Sequence, residues 1–458
     1  MSVVSYSEIW KEFKRYKGGI AGLAILASLI LMSIIAAMTV PLETFQQWQN
    51  PTQWTSLPKT AMPAWMNFFL ATKLPEHQIL HDPNVTERSE GGIRMVSHQF
   101  SFDYKYDSFL NDFMLNFVAK YHANPPLLQL SITRPDGNTI ELLRTSLPST
   151  EAAEYTHSGT IFSTDSAIKN SIRNYLNLYS YSIDESQPQV ILFSDLDKPK
   201  VLKGSYEVKA AFFLFDSNDE AISSELILGG KVYGLVGTDE LRRDLSVGLL
   251  WGTPLALFIG ISVATLSVVV GLIYGVTAGY KGRSTDEVMM RANDVVYALP
   301  ALPLLILLAV SIGKSIFLVV GYLIIFGWVG IAKVARSLAL QIKNLQYIEA
   351  AQLMGQSSTR IVFKHILPQL LPYAFASVAI SVPAAIITEA GLSFLGLGDP
   401  TMPTWGQILH DANVFGAAAR GLWWWIVPPG LMIALTGLAF VLIGTALDSI
   451  VNPKMKKI

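Results

Sequence analysis

Tyr347-Ile348-Glu349-Ala350-Ala351-Gln352-Leu353-Met354-Gly355, running on to His365-Ile366-Leu367-Pro368, is a short polar and basic stretch between two strongly apolar segments. Ala350, Ala351, Leu353 and Met354 are good helix formers, and Tyr347, Ala350, Ala351 and Met354 recur at helical spacing on one face. Gly355 supplies the left-handed conformation that closes a helix. Ser357, Ser358 or Thr359 is a candidate cap for a second helix carrying Arg360, Ile361, Lys364 and His365. The stretch reads as a helix–turn–helix, too short to be a domain and exposed on one side of a membrane. Such an element serves as a docking knob.

The rest of the chain supplies the membrane. Of 458 residues, 51% are apolar and only 15% charged, and the mean hydropathy is +0.38. The net charge of −1 gives no field that would attract nucleic acid. Cysteine is absent, which excludes disulfides, thiolate catalysis and Cys-ligated metal.

At the start, Ser5 and Glu8 have capping-box spacing and Ile9, Phe13 and Tyr16 share a helical face. Lys11, Lys14, Arg15 and Lys17 precede an uncharged run from Gly18 to Leu42. A basic segment before an apolar run also fits a secretory signal. The run is nevertheless long enough to span a bilayer, which needs about 20 residues, and ends in a poor cleavage site. A retained transmembrane helix is the expectation.

From Glu43 to about Asp244 the composition turns polar. Leu127 to Leu143 reads as a hairpin around Asp136-Gly137. Val190 to Phe193, Tyr206 to Phe215 and Leu226 to Val236 read as strands; Phe109 to Tyr121 and Asp165 to Leu178 read as helices. This is an inserted α+β domain rather than a loop. Asn84-Val-Thr is a glycosylation sequon, but such tripeptides are frequent by chance.

Apolar runs return at Leu245–Tyr280, Val295–Ile312, Ser315–Ala332, Gln369–Thr388 and Gly421–Leu447. The expected fold class is an all-α polytopic bundle of six transmembrane helices with an inserted α+β domain. Its divisions are residues 1–42, 43–244 and 245–458, with the docking loop at 341–368. Prolines at 254, 303, 372, 383, 428 and 429 suggest kinks or broken helices. With six spans, the basic N-terminus, Lys281, Arg283, Arg291, Lys333, Arg336, Lys343, Arg360, Lys364, Lys454, Lys456 and Lys457 all fall on one side, which the positive-inside rule makes cytoplasmic. Both termini and the docking loop are then inside, and the inserted domain is outside.

Several motifs carry a family resemblance. Glu349-Ala350-Ala351, three residues, Gly355, nine more, then His365 and Leu367-Pro368 is similar to the EAA signature of importer-type ABC permeases. The general pattern has Ile at the place of His365, and His-Ile-Leu-Pro resembles the dipeptide/oligopeptide/nickel branch. Gly237-Thr-Asp-Glu-Leu-Arg-Arg-Asp-Leu resembles the motif that opens the second helix in that branch, with Arg242 where Gly is usual. Ala278-Gly-Tyr-Lys-Gly, Met290-Arg-Ala-Asn-Asp-Val-Val-Tyr-Ala-Leu-Pro, Glu389-Ala-Gly-Leu-Ser-Phe-Leu-Gly-Leu-Gly-Asp-Pro with Thr404-Trp-Gly, Trp424-Trp-Ile-Val-Pro-Pro-Gly and Gly444-Thr-Ala-Leu-Asp-Ser-Ile-Val-Asn-Pro also look like it. The last lacks several charged residues common in bacterial relatives. The resemblance covers roughly half the chain; the large insert resembles those of some archaeal members.

The resemblance implies one permease subunit of an ATP-driven, binding-protein-dependent importer in the cell membrane. Its implied partners are a homologous second permease, two cytoplasmic ABC ATPases and an external solute-binding protein. Its cargo would be di- or oligopeptides or a related solute such as an oligosaccharide or metal chelate. The chain itself would bind no cofactor; ATP and magnesium belong to the ATPases. Tyr347, Glu349, Ala350, Ala351, Met354, Gly355, Arg360 and His365 are the candidate ATPase-coupling residues. The insert is expected to be a platform for the binding protein.

At the outer end, Glu389, Phe394, Trp405 and Trp424 are candidates for a gate or pore. An intramembrane carboxylate is a functional candidate by default, although an interfacial or capping role is cheaper. Trp405, Trp423, Trp424 and Trp425 read first as an aromatic belt. Arg291 and Asp294 have the spacing of an ion pair.

Other classes fare less well. Gly313-Lys314-Ser315 has the end of a P-loop, but position 308 is Leu and the site is an outer turn. A secondary transporter needs ionisable coupling sites at mid-membrane, which the sequence hardly offers. A membrane-anchored receptor or enzyme working through the inserted domain is the alternative, and it leaves five helices and the polar loop without a role.

Overall fold

The computed structural model describes residues 12–122, 124–149, 154–178, 187–195 and 200–451. Ser5, Glu8, Ile9, Lys11, Lys454, Lys456 and Lys457 therefore lie outside the described residues. The chain forms two compact units, one of Pro51–Leu245 and one of Met1–Asn50 with Ser246–Ile458.

Strand alternation builds the first unit. Its strands are β1 Gln78–Leu80, β2 Asn84–Glu90, β3 Ile93–Tyr104, β4 Asp112–Tyr121, β5 Leu127–Thr133, β6 Thr139–Ser146, β7 Tyr155–Phe162, β8 Ser194–Asp195, β9 Lys200–Val201, β10 Gly204–Leu214 and β11 Glu220–Gly229. One sheet has the order β1-β11-β4-β7, a second β2-β3-β10-β5-β6, and β8 pairs with β9. Both large sheets feed one core, with Phe113, Leu115 and Phe117 from the first and Phe100, Leu130, Ile132, Tyr206 and Phe212 from the second. The expected hairpin is present, Thr133 pairing with Thr139 across the Asp136-Gly137 turn.

The helix expected at Ser166 is α2 (Ser166–Leu178), and it buries Ile168, Ile172 and Leu176 at a four-residue repeat. Two expectations are reversed. Phe109 to Tyr121 holds strand β4, in which Phe113, Leu115, Phe117, Ala119 and Tyr121 alternate inward. Val190 to Phe193 falls largely in a short helix, α3 (Pro188–Leu192), where Pro188 occupies the first turn.

The second unit is helical. Among the described residues, five helices are long and apolar enough to cross a membrane: α1 Lys17–Thr39, α4 Leu245–Lys281, α7 Ile316–Lys343, α9 Ser358–Phe394 and α11 (Trp423–Val451). Between α4 and α7 the expected single helix from Val295 is instead a bent pair, α5 Arg283–Ala298 and α6 Ala301–Ile312, meeting at 73°. Pro300 explains the break: it has no N–H to give, and Leu299 before it is extended at φ −67°, ψ 132°. The count of spans is thus five, or six if the bent pair crosses as one.

Helix α4 runs unbroken for 37 residues with Pro254 inside it. Small residues let helices approach: Gly22 of α1 lies against Leu442 and Ile443 of α11, and Gly271 and Gly275 of α4 against Ile331 and Ala335 of α7. The connection after α9 contains α10 Trp405–Val414, whose first turn is capped by the Thr404 hydroxyl accepting from the Gln407 N–H at 3.2 Å. Arg291 and Asp294 do not pair with each other. Arg291 bridges Glu287 one turn back at 2.7 Å, and Asp294 bridges Lys333 of α7 at 2.8 Å.

Candidate functional site

The docking stretch forms the helix–turn–helix that its residues imply. Its first helix is α8 (Gln346–Leu353). Gly355 has φ +76°, and the Gln356 N–H reaches the Ala351 carbonyl at 3.1 Å while the Gly355 N–H reaches Gln352 at 2.9 Å. That pair of bonds is a Schellman closure, which satisfies carbonyls that a helix end leaves open. Ser357 then caps the start of α9, its hydroxyl accepting from the Arg360 N–H at 3.4 Å. The first turns of α9 include a π-helical segment, Val362–Ile366.

Two ties hold the turn to α9. His365 Nε2 meets Gln356 Oε1 at 2.9 Å, and Gln369 donates to the Tyr347 hydroxyl. His365 thus has the structural part of closing the loop on itself. Partial desolvation raises the Tyr347 pKa above the usual phenol value, and the Gln369 hydrogen bond opposes the shift.

Of the face shared by Tyr347, Ala350, Ala351 and Met354, only Ala351 is buried, so it is not an accessible coupling residue. Ile348 and Ala351 point inward with Ile361 and Ile366, joining Val276 and Tyr280 of α4 and Ala335 and Ala339 of α7. Tyr347, Glu349, Ala350, Met354 and Arg360 are exposed. Leu353 and Met354 are 89% and 73% exposed. Glu349, Arg360 and Lys364 make no side-chain hydrogen bond or ion pair among the described residues. Next to them Ser357, Thr359, Arg360, Phe363, Lys364 and Pro368 line a shallow surface depression. Sequence reasoning missed Leu353, Phe363 and Lys364 as parts of this surface.

The outer candidates sit at the other end of α9, whose α-helical part, Leu367–Phe394, has 28 residues and is therefore about 42 Å long. Glu389 is buried and accepts from the Ser393 hydroxyl at 2.7 Å. Phe394 is partly exposed, and its carbonyl contacts His410 Nδ1 at 2.8 Å. The belt expectation is corrected: Trp405, Trp424 and Trp425 are buried inside the protein. Trp405 Nε1 donates to the Leu249 carbonyl at 3.2 Å, its ring occupying the space that a side chain at Gly252 would need. Trp425 stacks on Phe415, with ring centroids 5.9 Å apart. Inward packing of Trp405 wins because its indole N–H finds the Leu249 carbonyl and α4 offers Gly252.

Two polar clusters escaped the sequence reading. Arg336 of α7 forms a bidentate pair with Asp286 of α5 at 2.5 and 2.6 Å. In the motif before α4, Arg243 and Asp239 form a buried ion pair at 2.6 Å. Beside it Arg242 stands at φ +65°, a conformation that suits glycine. Its guanidinium bonds the Leu57 carbonyl at 2.6 Å and the Asp112 carboxylate, contacts that offset the backbone strain.

Residues 267–457 match the family model "Binding-protein-dependent transport system inner membrane component". Residues 6–58 match the "N-terminal TM domain of oligopeptide transport permease C". The chain is 37% identical over 223 residues to the oligopeptide transport system permease protein OppC of Bacillus subtilis strain 168, covering 48% of this chain and 72% of that protein. It is 38% identical to the dipeptide transport system permease protein DppC of the same organism, covering 48% and 69%. It is 36% identical to the glutathione transport system permease protein GsiD of Pectobacterium atrosepticum, covering 48% and 73%. A solved inward-facing MetNI methionine ABC transporter matches 45% of this chain and 95% of its own, at 21% identity and a TM-score of 0.35.

Proposed function

The chain belongs to the binding-protein-dependent transport system inner membrane components, and we propose that it is the permease subunit through which an ATPase drives import of oligopeptides or dipeptides. The permease role is common to the relatives, which are named for oligopeptide, dipeptide and glutathione transport. An oligosaccharide cargo finds no support in those names.

One observation carries the coupling assignment. Loop 341–368 is anchored to three membrane helices by Ile348, Ala351, Ile361 and Ile366, yet presents Leu353, Met354, Glu349 and Arg360 outward. A rigid, buried root with a free apolar and charged crown is what a moving partner needs in order to push a bundle. ATPase closure would press on α8, and its root would shift α7 and α9 against α4. ATP hydrolysis, with its magnesium, belongs to two partner ATPases; a sister permease completes the pathway and a binding protein delivers the peptide. The loop and both termini are cytoplasmic in this reading, and the inserted domain lies on the outer face. The bent α5–α6 pair counts as one of six spans. Glu389, Phe394, Trp405 and Trp424 serve there as a packed outer closure.

The test is recovery of partners from the native host in mild detergent. Wild type should bring down a sister permease and ATPases, and a Glu349→Lys, Gly355→Asp variant should lose the ATPases while keeping the sister chain. A well-folded wild type recovered without any ATPase refutes the assignment.

A further inference from the structure

Four large apolar side chains stand out together from the inserted unit. Ala64–Phe68 is a 3-10 helix, in which residues three apart eclipse, so Trp65 and Phe68 share a face. Phe69 meets Trp65 edge to face with centroids 6.2 Å apart. Trp65 Nε1 donates to the Leu235 carbonyl at 2.9 Å. Phe68, Phe69 and Leu235 are 84%, 78% and 77% exposed, and Trp65 41%. The stretches that carry them, 60–72 and 232–238, contain no charged residue and are bounded by Lys59, Lys73 and Lys231. Aromatic surface of this kind marks an interaction site.

The course of the chain says what covers it. Leu245, the first residue of α4, donates its N–H to the Gly237 carbonyl at 3.1 Å. A spanning helix therefore starts beside Gly237, which is two residues and at most about 7 Å from Leu235. Helix α4 runs on from Leu245 without a break as an apolar span.

We infer that Trp65, Phe68, Phe69 and Leu235 form an interfacial anchor inserted at the headgroup–acyl boundary of the leaflet from which α4 emerges. Tryptophan is enriched at that depth, and Phe68, Phe69 and Leu235 supply exposed apolar area beside it. The inference rests on the membrane-permease reading above.

The cysteine-free chain allows a direct test. Full-length Phe68→Cys, Leu31→Cys and Asn138→Cys variants would carry a polarity-sensitive fluorophore in phosphatidylcholine–phosphatidylglycerol vesicles. Leu31 lies exposed on α1 and Asn138 at the polar hairpin tip. Lipid bearing a nitroxide at a shallow acyl carbon should quench the labels at 68 and 31 several-fold more than the label at 138, and aqueous iodide the reverse. Quenching at 31 without quenching at 68 overturns the anchor and leaves the membrane reading intact. Quenching at neither overturns both. Shielding of 68 from iodide only when a binding protein is added assigns the patch to a protein partner and overturns the lipid assignment.

Discussion

Gly355 is a position where backbone conformation and coupling meet. A Cβ there would meet nothing within 4 Å, so the demand comes from φ +76° alone. An L-residue other than Asn costs about 1–2 kcal/mol in that region. Gly355→Val should loosen the loop and lower ATPase co-purification, whereas Gly355→Asn should retain most of it. Equal loss in both would mean that the surface, and not the turn, is what matters. His77 offers a second test. It lies edge to face on Tyr233 with centroids 5.4 Å apart. Burial, then the nearby Arg242 charge, pushes its pKa from 6.5 down to about 4. Between those values the unfolded chain binds a proton that the folded one refuses, so stability falls as pH falls. The full effect is about 3 kcal/mol. Thermal unfolding of the inserted domain should therefore drop between neutral pH and about pH 4.5, and His77→Gln should flatten much of that slope. His98, shifted down by burial alone, accounts for part of what remains. An unchanged slope in His77→Gln would refute the assignment.

Among the elements, the bent α5–α6 pair decides the topology. If it crosses once, the turn at Lys314 lies outside and the loop at Arg360 inside; if it does not cross, the two sides are exchanged. Single cysteines at those positions check this in the cysteine-free chain. Lys314→Cys should react with an impermeant maleimide on intact cells, and Arg360→Cys only after permeabilisation; the reverse pattern would rule out the single crossing. Strand β4 shows where element reading fails. Phe113 to Tyr121 carries period-two alternation, but a run of helix-compatible Leu, Met and Ala hides it until β11 and β7 pair on either side. Helix α3 shows the converse, since Val and Ile favour strands but Pro188 sets the first turn of a helix.

For the whole molecule, the two-unit division makes a separate prediction. The inserted unit has its own core, and its ends are stitched to each other: the Thr60 N–H bonds the Asp239 carbonyl at 3.0 Å and the Thr238 hydroxyl bonds Pro58 at 2.6 Å. Residues 51–245 expressed alone should give a β-rich circular dichroism spectrum and one cooperative unfolding transition. A collapsed, non-cooperative product would show that the membrane helices are needed to fold it.

The sequence by itself determined the apolar spans, the docking helix–turn–helix with its glycine closure and the family, because hydropathy and turn chemistry act over a few residues. Within the insert, β5, β6, β10, β11 and α2 were legible for the same reason. Which face of α8 is buried, whether Trp405 and Trp425 meet lipid or protein, and whom Asp294 pairs with were decided only by tertiary structure. In each case the deciding partner comes from a distant segment: Tyr280 and Ala335 under Ile348, Leu249 at the Trp405 indole, Lys333 beside Asp294. Packing selects among faces that local periodicity leaves equivalent.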